Sequence, residues 1–508
     1  MSDPAPHLIT LRSSQLGKVA VVGSVLNSGQ WVLNKACTAG ATLLLAHWLT
    51  PEEFGVAGQA TALVQFLTLA VPFALGDVII AHASRSPTVV ATATRLSGQL
   101  ALLNAVVLLA AIPVCVKVFS DMPSGWLVSL LCIYGLRPLM ESLQVPALSR
   151  LRLELRYRTI AWIDGASQLA GTICSIVMAA VGFGAASLAL PVALAGTSRV
   201  WFYRRLSPPD SKASEPDPRI ARGLMLDFLP VSAAQYLHKV ASSVELLVLG
   251  FVSSAFETGL FAFSALLAVQ ANTVIAHQLG TVLQPVFGRM ADDADRQARG
   301  LVRTLRVLGL VCVPISLAQA VFAEPAFRVL FAARYQPAVP VFEVLSLVQA
   351  FLFVLGPTVA CLRAQQQFKA FLVWQFVELT LGCTSCWLAA NAWGALGAAA
   401  GHGVVWCLGM PVLVWLALRG RSRHAMLKAC GVLFLPLAIF VPLFAVAMQG
   451  VNWISGWSRH GDAWSLLLLL PASLVVALGM GVLVNRDMRR MARWTVQRLR
   501  RTRSEAVP

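Results

Sequence analysis

The chain has 508 residues, of which 57% are hydrophobic and only 12% are charged. Soluble domains carry roughly 25% charged residues, so a soluble multidomain enzyme is excluded, and so are disordered and fibrous chains. Lys and Arg outnumber Asp and Glu by 40 to 23, a net charge of +17; in so apolar a chain this surplus reports membrane topology, because cytoplasmic loops collect Lys and Arg, and not nucleic-acid binding.

Fourteen apolar segments follow in chain order: 19–48, 52–82, 88–119, 125–148, 158–181, 183–203, 221–251, 255–284, 301–332, 339–362, 370–390, 393–418, 429–450 and 464–484. Most are too long and too continuous for strands, and no alternating ten-residue pattern appears, which predicts an all-α polytopic membrane protein and not a barrel. With the N-terminus inside, 33 of the 40 Lys and Arg fall on the cytoplasmic side of the alternation, so both termini are placed in the cytoplasm. No cleavable signal peptide is expected, because the opening residues are polar and the apolar stretch after them is too long. The stretch 204–220, with Ser207-Pro208-Pro209-Asp210, predicts a cytoplasmic linker. It divides an N-terminal lobe (1–203) from a C-terminal lobe (221–418). Two accessory spans (419–484) and a basic tail (485–508) follow. The tail has eight Arg interleaved with Met488, Met491, Trp494, Val496 and Leu499 and is able to lie on an anionic leaflet.

The first and seventh segments repeat at an offset of 204 residues. Lys35 falls on Lys239, Thr50 on Ser254, Glu53 on Glu257 and Gly55 on Gly259. Each Ser/Thr-x-x-Glu is a capping box opening the next helix, and Pro51 suits the first helical position. Six intervening spans leave both copies with the same orientation. Parallel repeats of this kind predict two six-helix lobes with the substrate path between them.

Charge inside a bilayer costs about 2.5–3.5 kcal/mol per residue on insertion scales and is kept where it faces protein or water. Lys35 lies well inside the first span with Asn27, Gln30 and Asn34 making one side polar. The seventh span has Gln235, Tyr236, Lys239, Ser242 and Glu245, with Lys239 and Glu245 within two turns of each other. Arg137 and Glu141 are four apart and able to pair. Asp77 lies deep or near the inner end of the second span, and Asp164, Asp227, Glu343 and Glu378 lie nearer the ends of theirs. The expected substrate-binding set is Lys35, Lys239, Gln30, Asn34, Trp31, Tyr236 and Arg137, and the expected ion-coupling or charge-balancing set is Asp77, Glu141 and Glu245. His238, beside Lys239, is the one His considered for a cavity. No catalytic residue, cofactor or metal is expected: the eight His are dispersed, and no GxxxxGK[ST] is present. The ten Cys are scattered through apolar segments, and Cys383 and Cys386, although a CxxC, are expected to be small membrane-core residues.

Three stretches carry a family resemblance. They are Leu49-Thr50-Pro51-Glu52-Glu53-Phe54-Gly55, the basic run Val145-Pro146-Ala147-Leu148-Ser149-Arg150-Leu151-Arg152-Leu153-Glu154-Leu155-Arg156-Tyr157-Arg158, and the weaker Pro285-Val286-Phe287-Gly288-Arg289. Here the chain resembles the polysaccharide-transport branch of the multidrug/oligosaccharidyl-lipid/polysaccharide (MOP) flippase superfamily. The resemblance implies two six-helix lobes around a central cavity, with two further spans outside them. It also implies transfer of an undecaprenyl-pyrophosphate oligosaccharide across the bacterial inner membrane by alternating access. The partners it implies are the lipid-linked oligosaccharide, membrane lipids, a polysaccharide polymerase and a chain-length regulator. The alternatives are an ion-coupled multidrug antiporter of the same superfamily, a polysaccharide polymerase or ligase, and a structural scaffold. The enzyme is disfavoured because the largest outer loop, 450–463, offers only Arg459, His460 and Asp462.

Overall fold

The computed structural model describes residues 33–82, 88–119, 124–154, 156–207, 217–290, 293–365, 367–419, 423–457, 461–484 and Arg489. Among these residues the secondary structure is helical throughout, with no strand, and each of the fourteen apolar segments carries helix. Among the described residues, eight helices are long and apolar enough to cross a bilayer, or nine if one pair bent by 49° is a single broken span. This is the all-α polytopic architecture that the composition demands, since only intrahelical hydrogen bonds satisfy a single apolar segment in lipid.

The helices are α1 (33–48), α2 (Pro51–Leu67), α3 (Pro72–His82), α4 (Thr88–Val118), α5 (Ser124–Leu153), α6 (Tyr157–Ala180), α7 (Ala186–Leu206), α8 (Pro218–Ala241), α9 (Val244–Val252), α10 (Ala255–Gly288) and α11 (Ala294–Val321). Then come α12 (Ala323–Leu330), a 3-10 turn (Ala333–Ala338), α13 (Val339–Gln349), α14 (Leu352–Ala364), α15 (Phe368–Leu418), α16 (Arg423–Trp457), α17 (Gly461–Trp464), a π turn (Ser465–Leu469) and α18 (Leu470–Val484). Four predicted continuous spans are broken. The second divides into α2 and α3, the seventh divides at Ser242 and Ser243 into α8 and α9, the ninth, 301–332, divides at Phe322 into α11 and α12, and the tenth, 339–362, divides at Ala350 and Phe351 into α13 and α14.

The described residues fall into two compact units. One takes in the chain up to Ala41, Leu63–Lys117 and Ser124–Tyr236; the other takes in Thr42–Ala62, Val118–Pro123 and Leu237–Pro508. In the first, α5 packs on α3 and α7, and α6 on α7. Its core joins Leu75, Ile79 and Leu96 to Leu224 and Phe228. In the second, α11 packs on α16, α10 on α14 and α9 on α15, around a core that includes Trp374, Leu305 and Phe440.

The break between α2 and α3 leaves backbone groups without helical partners, and these are costly in a bilayer. Side chains of other helices supply partners. Asn104 on α4 donates from Nδ2 to the Ala70 carbonyl at 2.8 Å and accepts from the Ala70 N–H at 3.1 Å. The Val71 N–H donates to Ser232 Oγ at 3.0 Å, and the Tyr236 hydroxyl donates to the Phe66 carbonyl at 2.9 Å. Leu in place of Asn104 would strand both Ala70 groups, at about 1–3 kcal/mol each. A thermal unfolding midpoint clearly below that of the wild type is the expected measurement.

The repeat motif appears in the second unit as a physical contact. An ideal Cβ on Gly55 would lie 2.0 Å from the Ala255 carbonyl oxygen, and one on Gly259 would lie 1.7 Å from the Pro51 carbonyl oxygen. Pro51 and Ala255, like Gly55 and Gly259, are repeat equivalents, so α2 and α10 cross backbone to backbone through matching atoms. The two capping boxes diverge. In the first, the Thr50 N–H donates to Glu53 Oε2 at 2.8 Å and the Glu53 N–H donates to Thr50 Oγ1 at 3.4 Å. In the second, the Glu257 N–H donates to Ser254 Oγ at 3.3 Å, but the Glu257 carboxylate accepts from the Ala395 N–H at 2.8 Å. That N–H begins a new helix: α15 is interrupted at Trp393 and at Gly394, whose φ is +54°. The interruption falls between the predicted eleventh and twelfth spans, and a carboxylate at a helix N-terminus meets both unpaired N–H groups and the positive end of the dipole.

Candidate functional site

Lys35 lies half-buried on α1, and Lys239 lies in the last turn of α8. They belong to different compact units. Gln30 and Trp31 lie outside the described residues. Tyr236 and Gln235 serve the broken second span: besides the bond from Tyr236 to Phe66, Gln235 Nε2 lies 3.5 Å from Asp77 Oδ2, at the limit of a hydrogen bond. Asp77 is exposed on α3. Arg137 Nε donates to Glu141 Oε1 at 2.8 Å, the i,i+4 pairing that their spacing allows.

Glu245 has a different neighbour from the one its sequence position suggests. The helix break at Ser242–Ser243 ends the helix that carries Lys239. Glu245, in the first turn of α9 and only 6% exposed in its side chain, meets His402 Nδ1. Glu378, from the first half of α15, is within electrostatic reach of both groups, and its Oε2 is buried without a hydrogen bond. The placement of Glu378 near a span end gave no hint of this. Nor did the sequence single out His402, since α9 and the two halves of α15 meet only through tertiary packing. Cys383 and Cys386 are free thiols on the same helix, with Cys386 buried.

A polar cavity of about 270 Å³ lies within the first unit. Asn34 reaches it from α1, Phe73 from α3, and Gln144, Leu148 and Arg152 from α5; Asp164 and Gln168 on α6 face Arg199 and Tyr203 on α7. The Tyr203 hydroxyl donates to Asp164 Oδ1 at 2.7 Å, Arg199 Nη2 donates to Gln168 Oε1 at 3.2 Å, and Arg199 Nε lies 3.7 Å from Asp164 Oδ1. Of the nine lining residues only Asn34 was expected at a site. The signal was present in the spacing. Gln144, Leu148 and Arg152, then Asp164 and Gln168, then Arg199 and Tyr203 recur every four residues, which puts each set on one helical face.

A 3-10 turn also supplies partners that the sequence did not reveal. Arg334 Nη2 donates to the carbonyls of His47 at 2.7 Å and Ala46 at 3.1 Å, and the Tyr335 hydroxyl donates to that of Leu49 at 2.9 Å. The last carbonyls of α1, which have no intrahelical donor, are thereby satisfied from the second half of the chain.

Broken spans held together by side chains, with polar groups clustered inside the membrane, are how membrane transporters are built. The fold agrees with this class. A lipid II flippase, MurJ, in an inward closed conformation superposes with a TM-score of 0.71, covering 91% of this chain and 99% of that chain at 10% identity. An inward-facing multidrug-resistance MATE-family transporter of the MOP superfamily gives 0.60, covering 80% and 99% at 13% identity. Among curated proteins, the succinoglycan biosynthesis transport protein ExoT of Rhizobium meliloti (strain 1021) is 24% identical over 411 residues, spanning 78% of this chain and 80% of the relative. The chain belongs to the family of polysaccharide biosynthesis proteins, whose sequence profile matches residues 44–340. It is a multi-pass membrane protein with the MOP transporter fold.

Proposed function

We propose that the protein is a flippase of the bacterial inner membrane that carries an undecaprenyl-pyrophosphate-linked oligosaccharide repeat unit to the outer leaflet for surface or exopolysaccharide synthesis. The match to the polysaccharide biosynthesis family carries this reading. Lys35 and Lys239, placed at repeat-equivalent positions, meet the pyrophosphate, and Gln30, Trp31, Asn34 and Tyr236 meet sugars by hydrogen bonding and stacking. Arg137 is a further cationic contact. Both termini are cytoplasmic, the chain divides into lobes at 204–220, and the lobes rock about a fixed site in alternating access. A polymerase and a chain-length regulator act on the product outside. Net direction requires a ligand that binds the two states unequally. Glu245, with His402 and Glu378, is the group placed to take up such a coupling ion; Asp77 and Glu141 balance charge.

The double substitution Lys35→Ala with Lys239→Ala is expected to abolish surface polysaccharide export at a normal protein level. Unchanged export would remove the lysines from the mechanism. The buried Glu245–His402–Glu378 cluster also suits an ion-coupled small-molecule antiporter, the second reading. Altered drug sensitivity of a deletion strain with intact polysaccharide export would favour it.

A further inference from the structure

The cavity of the first unit has unmet hydrogen-bonding capacity of one kind and unbalanced charge of another. Asn34 Oδ1 and Gln144 Oε1 are buried acceptors that receive no hydrogen bond, and Gln144 is only 5% exposed. A buried acceptor without a donor is costly, so the site favours a molecule that brings hydroxyl groups. Arg199 is committed to Asp164 and Gln168. Arg152 lines the same cavity and has no carboxylate paired with it among the described residues. Two guanidinium groups against one carboxylate leave one positive charge over. An isolated anion would use Arg152 but would give nothing to the two amide oxygens. An uncharged sugar would do the reverse.

Size narrows the class further. About 270 Å³ lies just below the range of roughly 300–1,000 Å³ that holds drug-sized ligands, and so it suits a single ring. Phe73 offers that ring an aromatic face. We infer that this cavity is a subsite for one acidic sugar ring, its hydroxyls donating to Asn34 and Gln144 and its single anionic group meeting Arg152. The inference rests on the saccharide-transport reading and names the part of the saccharide that this unit holds. An anion on the ring could be a carboxylate or a phosphate ester, and both present the same charge to Arg152.

The test uses the full-length protein in lipid nanodiscs, with the thermal unfolding midpoint titrated against glucuronate, glucose 1-phosphate, glucose and inorganic phosphate. A ligand that binds only the folded protein raises the midpoint saturably. Glucuronate, glucose 1-phosphate or both are expected to raise it at lower concentration than glucose or inorganic phosphate, and the better of the two identifies the anionic group. Gln144→Leu is expected to weaken that binding roughly tenfold, as loss of one buried acceptor implies, and Arg152→Gln to remove the advantage over glucose. Inorganic phosphate acting as well as the sugar acids, with no effect of Gln144→Leu, would reduce the cavity to an anion site and overturn the inference. So would the absence of any shift with both sugar acids in the wild type, a result that needs no variant to fold. Transport is judged separately: if Lys35→Ala with Lys239→Ala stops export while the wild type binds neither sugar acid, the subsite fails and the flippase stands.

Discussion

Alanine at Gly55 or Gly259 is expected to be among the most damaging small substitutions in this protein. Each new methyl would overlap rigid backbone: at Gly55 it would meet the Ala255 carbonyl oxygen at 2.0 Å, and at Gly259 the Pro51 oxygen at 1.7 Å. Backbone cannot rotate away as a side chain can, so α2 and α10 must separate. The edge-to-face contact beside the crossing, Phe54 of α2 against Phe263 of α10 at 5.3 Å between ring centroids, would separate with them. A loss of about 3 kcal/mol or more is expected, the upper end of overpacking costs. It would be read as a lowered unfolding midpoint of the purified protein. Gly98 on α4 is the control, since nothing lies within 4 Å of its ideal Cβ. Alanine there is expected to be neutral or stabilising by up to about 1 kcal/mol, the helix-propensity difference. Equal behaviour of Gly55→Ala and Gly98→Ala would mean that the close crossing is not rigid.

Removal of the Glu245 carboxylate should have the other large effect. Glu245→Ala leaves His402 buried without the carboxylate it meets, and breaking a buried ion pair from one side costs about 3–5 kcal/mol. Glu245→Gln keeps a hydrogen-bonding group beside His402 while removing the charge. Stability near the wild-type value is therefore expected, with polysaccharide export lost. Normal export by a stable Glu245→Gln protein would assign the cluster to packing alone and leave the coupling role without support. The comparison separates folding from transport because both variants remove the same charge and only one removes the side chain's contacts.

The helical membrane fold was legible because it follows from local apolar length and from the absence of strand periodicity. The repeat was legible too, and Gly55 and Gly259 show why it is more than a coincidence of composition: equivalent positions face each other through reciprocal backbone contacts. The capping boxes were read correctly at Thr50 and Glu53 and only half correctly at Ser254 and Glu257. The Glu257 carboxylate leaves its own helix because the interruption at Gly394 offers it unpaired N–H groups 138 residues away. Breaks within apolar segments were not legible. The Asn104, Ser232 and Tyr236 side chains that stabilise the second span's break come from distant helices, so nothing local marks them.

Sequence by itself determined the class of fold and the Arg137–Glu141 pairing, because each depends on residues near one another in the chain or on their summed partition into lipid. Tertiary structure alone decided which buried polar groups meet. Glu245 lies six residues after Lys239, yet the helix break turns it to His402, 157 residues on. The first unit's cavity likewise draws Asn34, Gln144, Gln168 and Arg199 from four helices. Desolvation makes every intramembrane polar group seek a partner, but helix packing fixes which partner is within reach.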